Sequence, residues 1–390
     1  MTIQTKPSIT DYFESMEIEA CTSKSDFWKH VTAVNPILTE ELAPLFSRTK
    51  QGNLYAVKNQ SLPFSLAVES WTLSFHKAFL NWITQQKQFK PKRILEIGCD
   101  NGLLTCLYAT LYPDAEVVGI DRGNAGIRCA QQLTRKLGLT NVSFFQNEFM
   151  ELPDHFLTHS FDLIISVRTF HEIMGPVLIS RYWSLPEYLK GNPTYGDRAY
   201  MQIVDDLLTE EGVYFSCERL ENPADLGKWA NLLRDANLHV QWHESGLIDY
   251  HEFGVKKRSP VIIAAKKETG LDTLDGMEQL YTKNSLLVLE NRSFYRGAKG
   301  EYAFHRLGEK KLLSGQYLHV TNHWYEFRCE LWETNKFLLV YCYGNMGHRH
   351  LEILSAGAYS EGNILLNQLM EPYIHLGPIV HYKKLEERPR

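Results

Sequence analysis

The sequence has no apolar run long enough to cross a bilayer. Its first seven residues, Met1-Thr-Ile-Gln-Thr-Lys-Pro7, are polar and lack the apolar h-region of a signal peptide. The seven cysteines, at 21, 99, 106, 129, 217, 329 and 342, are scattered and include no Cys-x-x-Cys. Neither a disulfide framework nor a structural zinc site is suggested. Excess positive charge is missing as well. The net charge is −5, and residues 271–390 carry 14 Lys+Arg against 14 Asp+Glu. Phosphate-driven binding to a polynucleotide or an anionic membrane needs a basic excess. These absences lead us to expect a cytoplasmic protein without nucleic-acid or membrane partners. Apolar content of 44% and charged content of 22% are ordinary for a globular chain, and 390 residues suggest two to three domains.

What is present is organised around residues 93–105, Arg-Ile-Leu-Glu-Ile-Gly-Cys-Asp-Asn-Gly-Leu-Leu-Thr. Ile94, Leu95 and Ile97 make the short apolar run of a buried parallel strand. Gly98 and Gly102 follow, and then Leu103, Leu104, Leu107 and Leu111 fall at helical spacing. A strand, a glycine turn and a helix let backbone approach a ligand closely and offer it unpaired N–H groups. A cofactor is expected here.

Residues 1–90 read as helical. Ser8 and Asp11 can cap a first helix, Ser25 and Asp26 a second, and 39–46 form a short third. Residues 66–89 look like one long helix with Trp71, Phe75, Phe79, Trp82 and Ile83 on one side, either a packed cap or a lid. From 91 the pattern alternates. Strands are expected at 93–97, 116–120, 142–146, 161–167, 212–218, 238–244 and 260–265, and helices at 103–111, 123–137, 198–210 and 223–236. That alternation predicts a doubly wound α/β sheet with ligands at the carboxyl ends of its strands. Residues 238–266 hold two strands with little between them, which predicts an antiparallel hairpin at the sheet edge.

Residues 268–276 read as a linker. Beyond it short aromatic and β-branched runs, at 285–290, 302–306, 317–321, 324–332, 337–343 and 350–354, predict a separate β-rich domain with one helix near 362–372. The expected organisation is thus a helical cap (1–90), an α/β domain (91–268) and a β-rich domain (269–390) for substrate binding or dimerisation.

Four features follow the opening turn in order. The first is Glu96-Ile-Gly98-Cys99-Asp100-Asn-Gly102. The second is an acid, Asp121, ending the second strand, where it can accept hydrogen bonds from both hydroxyls of a ribose. The third strand ends on Asn147, Glu148 and Phe149, suited to bond and pack against an adenine. The fourth is Phe161-Asp162-Leu163, opening a strand that delivers Arg168, His171 and Glu172 to the same edge. This series resembles the class I S-adenosylmethionine-dependent methyltransferases over residues 91–266. The resemblance implies a Rossmann-like methyltransferase sheet and S-adenosylmethionine as cofactor. Glu96, Gly98 and Gly102 would then hold its methionine part, Asp121 its ribose, and Glu148 and Phe149 its adenine. Cys99, Asp100, Arg122 and Asn147 complete the expected cofactor set. Asp100 departs from the family pattern, standing where a middle glycine is common. It can favour the cofactor's positive groups or point into solvent.

A nicotinamide dinucleotide is the rival for such a turn. It needs Gly-x-Gly-x-x-Gly beside a pyrophosphate, whereas here the spacing is Gly-x-x-x-Gly with two acids in or before it. Carboxylates repel a pyrophosphate and tolerate a sulfonium. Methyl transfer mainly requires in-line orientation, and a base helps where the acceptor carries a proton. His171 and Glu172 are the candidate catalytic pair. Arg168 is a candidate for an anionic substrate group, with a surface carboxylate as the plain alternative. Residues 175–200 are a long aromatic loop, so Tyr182 and Trp183 are candidate substrate contacts, the alternative being a patch docked against another domain. His319 with His323, or His348 with His350, can be read as metal pairs, but no further ligand has suitable spacing and no metal is expected. The expected reaction is methyl transfer to an O or N atom of a small-molecule or peptide-like substrate. A protein methyltransferase whose C-terminal domain docks the target, and a non-catalytic cofactor-binding scaffold, are the alternatives; a homodimer suits any of them.

Overall fold

The apolar run after Arg93 becomes the strand on which a parallel sheet turns. The computed structural model describes residues 8–176, 178, 180–220, 222–282, 289–320 and 324–389. Strand β1 is Arg93–Ile97, followed by β2 Glu116–Asp121, β3 Val142–Gln146, β4 Phe161–Val167, β5 Leu208–Cys217, β6 His239–Val240, β7 Gly246–Glu252 and β8 Val255–Ala265. The order across the sheet is β3-β2-β1-β4-β5-β8-β6, with β7 paired to β8. β1 to β5 are parallel, and β8 runs antiparallel to β5. Between β1 and β4 the order reverses direction, which in doubly wound sheets opens a crevice at the carboxyl ends.

The edge hairpin differs from expectation. Its strands are β7 and β8, turning at Phe253 and Gly254 with φ of 48° and 80°, while 238–244 keeps only the two residues of β6. The first helix, Ile9–Ser15, starts with a reciprocal cap in which Ser8 and Asp11 bond each other's backbone N–H. The long helix expected over 66–89 is broken. Leu62–Val68 is one helix, Glu69–Trp71 a single tight turn, and Leu73–Gln85 another helix. Glu69 sits at the break, buried and bonded sideways to Lys58 and Thr72. Phe75, Phe79 and Ile83 share one core with Ile94, Leu163 and Phe215 of the sheet.

The chain divides into two compact units. The first comprises 1–176, 196–219 and 232–269, so the N-terminal helices and the sheet go together; the second comprises 177–195, 220–231 and 270–390. The second unit holds an antiparallel sheet of β9 Phe294–Arg296, β10 Lys311–His319, β11 Glu326–Glu333, β12 Phe337–Gly344, β13 Arg349–Ser355 and β14 Ile379–Tyr382, in the order β14-β10-β11-β12-β13-β9. Alternation along the strands separates its faces. Leu318, Phe327, Leu331 and Val340 pack with Leu366 and Met370 of helix Tyr359–Met370, while Tyr317, Trp332, Tyr341 and Tyr343 gather on the other face with Phe304. Residues 302–306, expected as a strand, end the helix Gly297–Arg306. The strand expected at 285–290 falls largely outside the described residues. Among the described residues no helix is long and apolar enough to cross a membrane.

Candidate active site

Two glycines shape the turn after β1. Gly98 has φ 75°, and a Cβ there would lie 2.5 Å from Thr169 Oγ1. Gly102 has φ 74°, opens the helix Leu103–Leu111, and would bring a Cβ within 2.6 Å of Ala130 Cβ. L-residues avoid this left-handed region, and here they also lack room. The N–H groups of Gly98 and Cys99 both reach the Ile120 carbonyl at 2.9 Å, fixing the turn to the end of β2.

Asp121 ties the two strand ends together. Its Oδ2 accepts the Asp100 N–H at 3.0 Å and its Oδ1 the Gly123 N–H at 2.7 Å. Burial, helped by the Asp100 charge, raises its carboxyl above the ordinary value. Glu96 is 3% exposed and accepts from Thr105 Oγ1. Burial pushes its carboxyl up to about 8, against the Thr105 bond that lowers it. The Asp100 and Asp121 carboxylates and the buried Glu96 acid therefore border a turn with no room for a side chain at 98 or 102. That acceptor set fits a ligand with ribose hydroxyls and positive charge, and opposes a pyrophosphate.

Asp100 neither points into open solvent nor stands alone. With φ 48°, it accepts from Lys58 Nζ and, at 2.5 Å, from Asn59 Nδ2. Lys58 also donates to Glu69. Burial alone would lower the Lys58 ammonium, but the two carboxylates outweigh it and raise it. Ser65 donates to Asn59 Oδ1 at 2.6 Å, and Asn101 Nδ2 reaches Ser65 Oγ at 2.8 Å and Glu69 Oε1 at 3.1 Å. Tyr12 adds a bond from its hydroxyl to the Leu103 carbonyl at 2.7 Å. The N-terminal helices thus grip the 98–102 turn through side chains that sequence reading did not single out. The departure at Asp100 was the available signal, since a half-buried acid requires partners.

At the third strand end, the Asn147 N–H bonds the Asp121 carbonyl at 3.1 Å. Phe149 is buried against Phe170 and Tyr200, with ring centres 5.4 and 6.0 Å away, while Glu148 and Arg122 are exposed. Cys99 is buried, and burial pushes its thiol well above the ordinary value.

The fourth strand end brings a correction. Arg168 was expected to be available to an anionic substrate group, but its guanidinium is committed inside the unit. It donates to Glu252 Oε1 at 2.6 Å and Tyr250 hydroxyl at 2.8 Å, and lies 3.8 Å from the Phe75 ring centre. His171 and Glu172 do come together, with Nε2 3.2 Å from Oε1. Their hydrogen bond is the main reason the Glu172 carboxyl falls below its usual range; Arg122 and Arg219 contribute less. His171 Nδ1 is buried and has no hydrogen-bond partner among the described residues. Nearby, Glu218 accepts from Ser166 Oγ at 2.6 Å and from the Phe170 N–H at 3.1 Å. Burial raises its carboxyl, and the His171 charge pulls the other way. Glu218 therefore holds the turn that carries His171. It too was missed, and its position ending the fifth strand was the signal.

Residues 88–258 match a family model described as a methyltransferase domain. They form a class I methyltransferase domain. S-adenosylmethionine is the cofactor of such domains. The chain is 29% identical over 162 residues to malonyl-[acyl-carrier protein] O-methyltransferase of Anoxybacillus flavithermus, an overlap of 39% of this chain and 59% of that protein. It is 34% identical over 91 residues to ribosomal RNA small subunit methyltransferase G of Chromohalobacter salexigens, covering 22% of this chain and 42% of that protein. The chain thus spans about half the length of these curated relatives. Among solved structures, a SAM dependent methyltransferase from Aquifex aeolicus aligns with 47% of this chain and 87% of its own, at 16% identity and a TM-score of 0.33. The ribosomal RNA relative lends no support to the expectation that nucleic acid is not a partner.

The matched stretch spans the expected contacts Tyr182 and Trp183, but the first unit does not include them. Both lie in the second unit, as structural parts of it. Tyr182 is 5% exposed, and its N–H bonds the Asn345 carbonyl at 2.6 Å. The Arg349 guanidinium lies 4.6 Å from the Tyr182 ring centre, and that of Arg328 4.0 Å from the Trp183 ring. Packing against a folded domain, the plain alternative for this loop, is what the side chains do. Of the histidine pairs, His323 lies outside the described residues. His319 faces Glu326 at 3.3 Å and His350 faces Glu352 at 2.7 Å.

Proposed function

We propose that this chain transfers the methyl group of S-adenosylmethionine to an oxygen or nitrogen atom of a small-molecule or peptide-like acceptor. The observation that carries the reading is the 98–102 turn, closed to a side chain at Gly98 and Gly102 and bordered by Asp121 at the neighbouring strand end. The cofactor, when bound, supplies an electrophilic methyl group on a sulfonium. Gly98 and Gly102 admit its methionine part, and Asp121 accepts from the ribose hydroxyls. Glu148 and Phe149 flank the adenine. His171, oriented by Glu172 and the Glu218-held turn, takes the acceptor's proton. The malonyl relative's name supports oxygen as the methylated atom.

Calorimetry with S-adenosylhomocysteine tests the site. Asp121→Ala removes charge-assisted bonds of about 1.5–3 kcal/mol each, so affinity should fall by at least roughly tenfold. Unchanged affinity in a folded variant would remove Asp121 from the site. For His171→Ala, turnover should fall by roughly 10²-fold while S-adenosylhomocysteine affinity stays the same; an unaltered rate rules out His171 as the base. A protein acceptor is the second reading, favoured by a second unit that has its own core outside the matched domain. Activity screens against small carboxylates, peptides and ribosomal RNA would separate the acceptor classes.

A further inference from the structure

Glu330, on β11, is fully buried on the aromatic face of the second unit's sheet. Trp332 Nε1 and Tyr343 hydroxyl donate to it, each at 3.0 Å, and Tyr382 hydroxyl at 2.5 Å. Room for Tyr382 comes from Gly315, which sits opposite both Glu330 and Tyr382 in register; a Cβ there would lie 2.6 Å from the Tyr382 hydroxyl oxygen. Into this setting comes Arg388. Its Nη2 donates to Glu330 Oε2 at 3.0 Å, its Nε lies 2.8 Å from Oε1, and its guanidinium is 5.5 Å from the Trp332 ring centre. Beside it Arg328, itself 5% exposed and held over Trp183, donates to the Pro389 carbonyl. One carboxylate takes the guanidinium and one guanidinium takes the next peptide carbonyl.

Two features set this apart from an ordinary buried ion pair. Removing one partner of such a pair strands a charge. Here three neutral donors already satisfy Glu330, so the cation can leave without orphaning the carboxylate. The segment delivering it also lies at the surface: residues 383–387 are all exposed, and Arg388 and Pro389 are its inward-facing part. We propose that this pocket is a binding site for arginine-bearing peptide segments, and that Arg388 and Pro389 occupy it in cis as a displaceable plug. The ligand class follows from the chemistry: a planar guanidinium to meet carboxylate and aromatic ring, followed by a backbone carbonyl for Arg328. The proposal is independent of the methyl-transfer reading.

The test uses the full chain with Arg388→Ala and a fluorescently labelled peptide of residues 384–390, read by anisotropy. The variant should bind the peptide at least tenfold more tightly than the unsubstituted chain, whose own Arg388 competes. Adding Glu330→Gln should return binding to background, and the peptide with citrulline in place of its first arginine should not bind. Failure of Arg388→Ala to bind, or equal binding of the citrulline peptide, overturns the proposal. Unfolding of the second unit in Arg388→Ala also overturns it, since Arg388 would then be a structural clamp. S-adenosylhomocysteine affinity should be the same in all these variants.

Discussion

In Gly98→Val, S-adenosylhomocysteine binding should drop by more than about 10²-fold while the chain remains folded. Two costs meet at this position. The backbone stands at φ 75°, where a β-branched residue is strained by on the order of 1–3 kcal/mol. The new side chain also points at Thr169, whose Oγ1 is held 3.1 Å from the Ile97 carbonyl. Thr169 cannot rotate away without losing that bond, so the turn must move instead. Moving it pulls the Gly98 and Cys99 N–H groups off the Ile120 carbonyl and separates Asp100 from Asp121. Gly138→Ala is the control. Gly138 also has a left-handed backbone, at φ 64°, but nothing lies within 4 Å of an added Cβ. It should lose roughly 1 kcal/mol of stability and keep its cofactor affinity. Equal affinities in Gly98→Val and the unsubstituted chain would remove the turn from the binding site.

The contrast between those two glycines also indicates what the sequence could reveal. Strands β1 to β4 were legible nearly to the residue, β1, β2 and β4 because buried parallel strands are short apolar runs, although β3 is only partly buried. The strand, glycine turn and helix at 93–111 were legible because their signals lie within a few consecutive residues. What was not legible spans distance. Arg168 meets Glu252 across 84 residues, and β7, which carries Glu252, lacks the apolar run that marks a buried strand. The break at Glu69 was hidden by an aromatic stripe that continues through it. Residues 302–306 were read as strand from their aromatic content, yet they end the helix Gly297–Arg306, whose Glu301 is buried against Arg349. Tyr182 and Trp183 were assigned by proximity in sequence to the fourth strand, although their packing partners come from the last hundred residues.

The Lys58 cluster is the largest of these long-range features, and its removal should be costly. Side-chain exposures are 7% for Lys58, 9% for Glu69 and 22% for Asp100. Lys58→Met would leave buried carboxylates without their cation, a loss of roughly 3–5 kcal/mol. In a unit of this size that lowers the melting temperature by on the order of 10 °C. The pH dependence identifies the cause. Burial tends to raise the Glu69 carboxyl, but Lys58 and His76 outweigh it, so its folded value lies below the ordinary one. A depressed acid contributes stability that is present above its unfolded value and lost as pH falls through its folded value. Lys58, raised when folded, loses its contribution only above its own ordinary range. The stability difference between the unsubstituted chain and Lys58→Met should therefore be full at pH 7 and shrink as pH falls through the carboxylate range. Adding Glu69→Gln and Asp100→Asn to Lys58→Met should restore most of the melting temperature, because no charge is then stranded. Cofactor affinity should not recover with it. The turn would be stable but no longer held by the cap, and S-adenosylhomocysteine should bind at least tenfold more weakly than to the unsubstituted chain. Full recovery of both would mean that Lys58 only stabilises the fold. Recovery of stability without affinity would make the N-terminal helices part of the cofactor site, through Asp100, the residue by which this turn departs from its family.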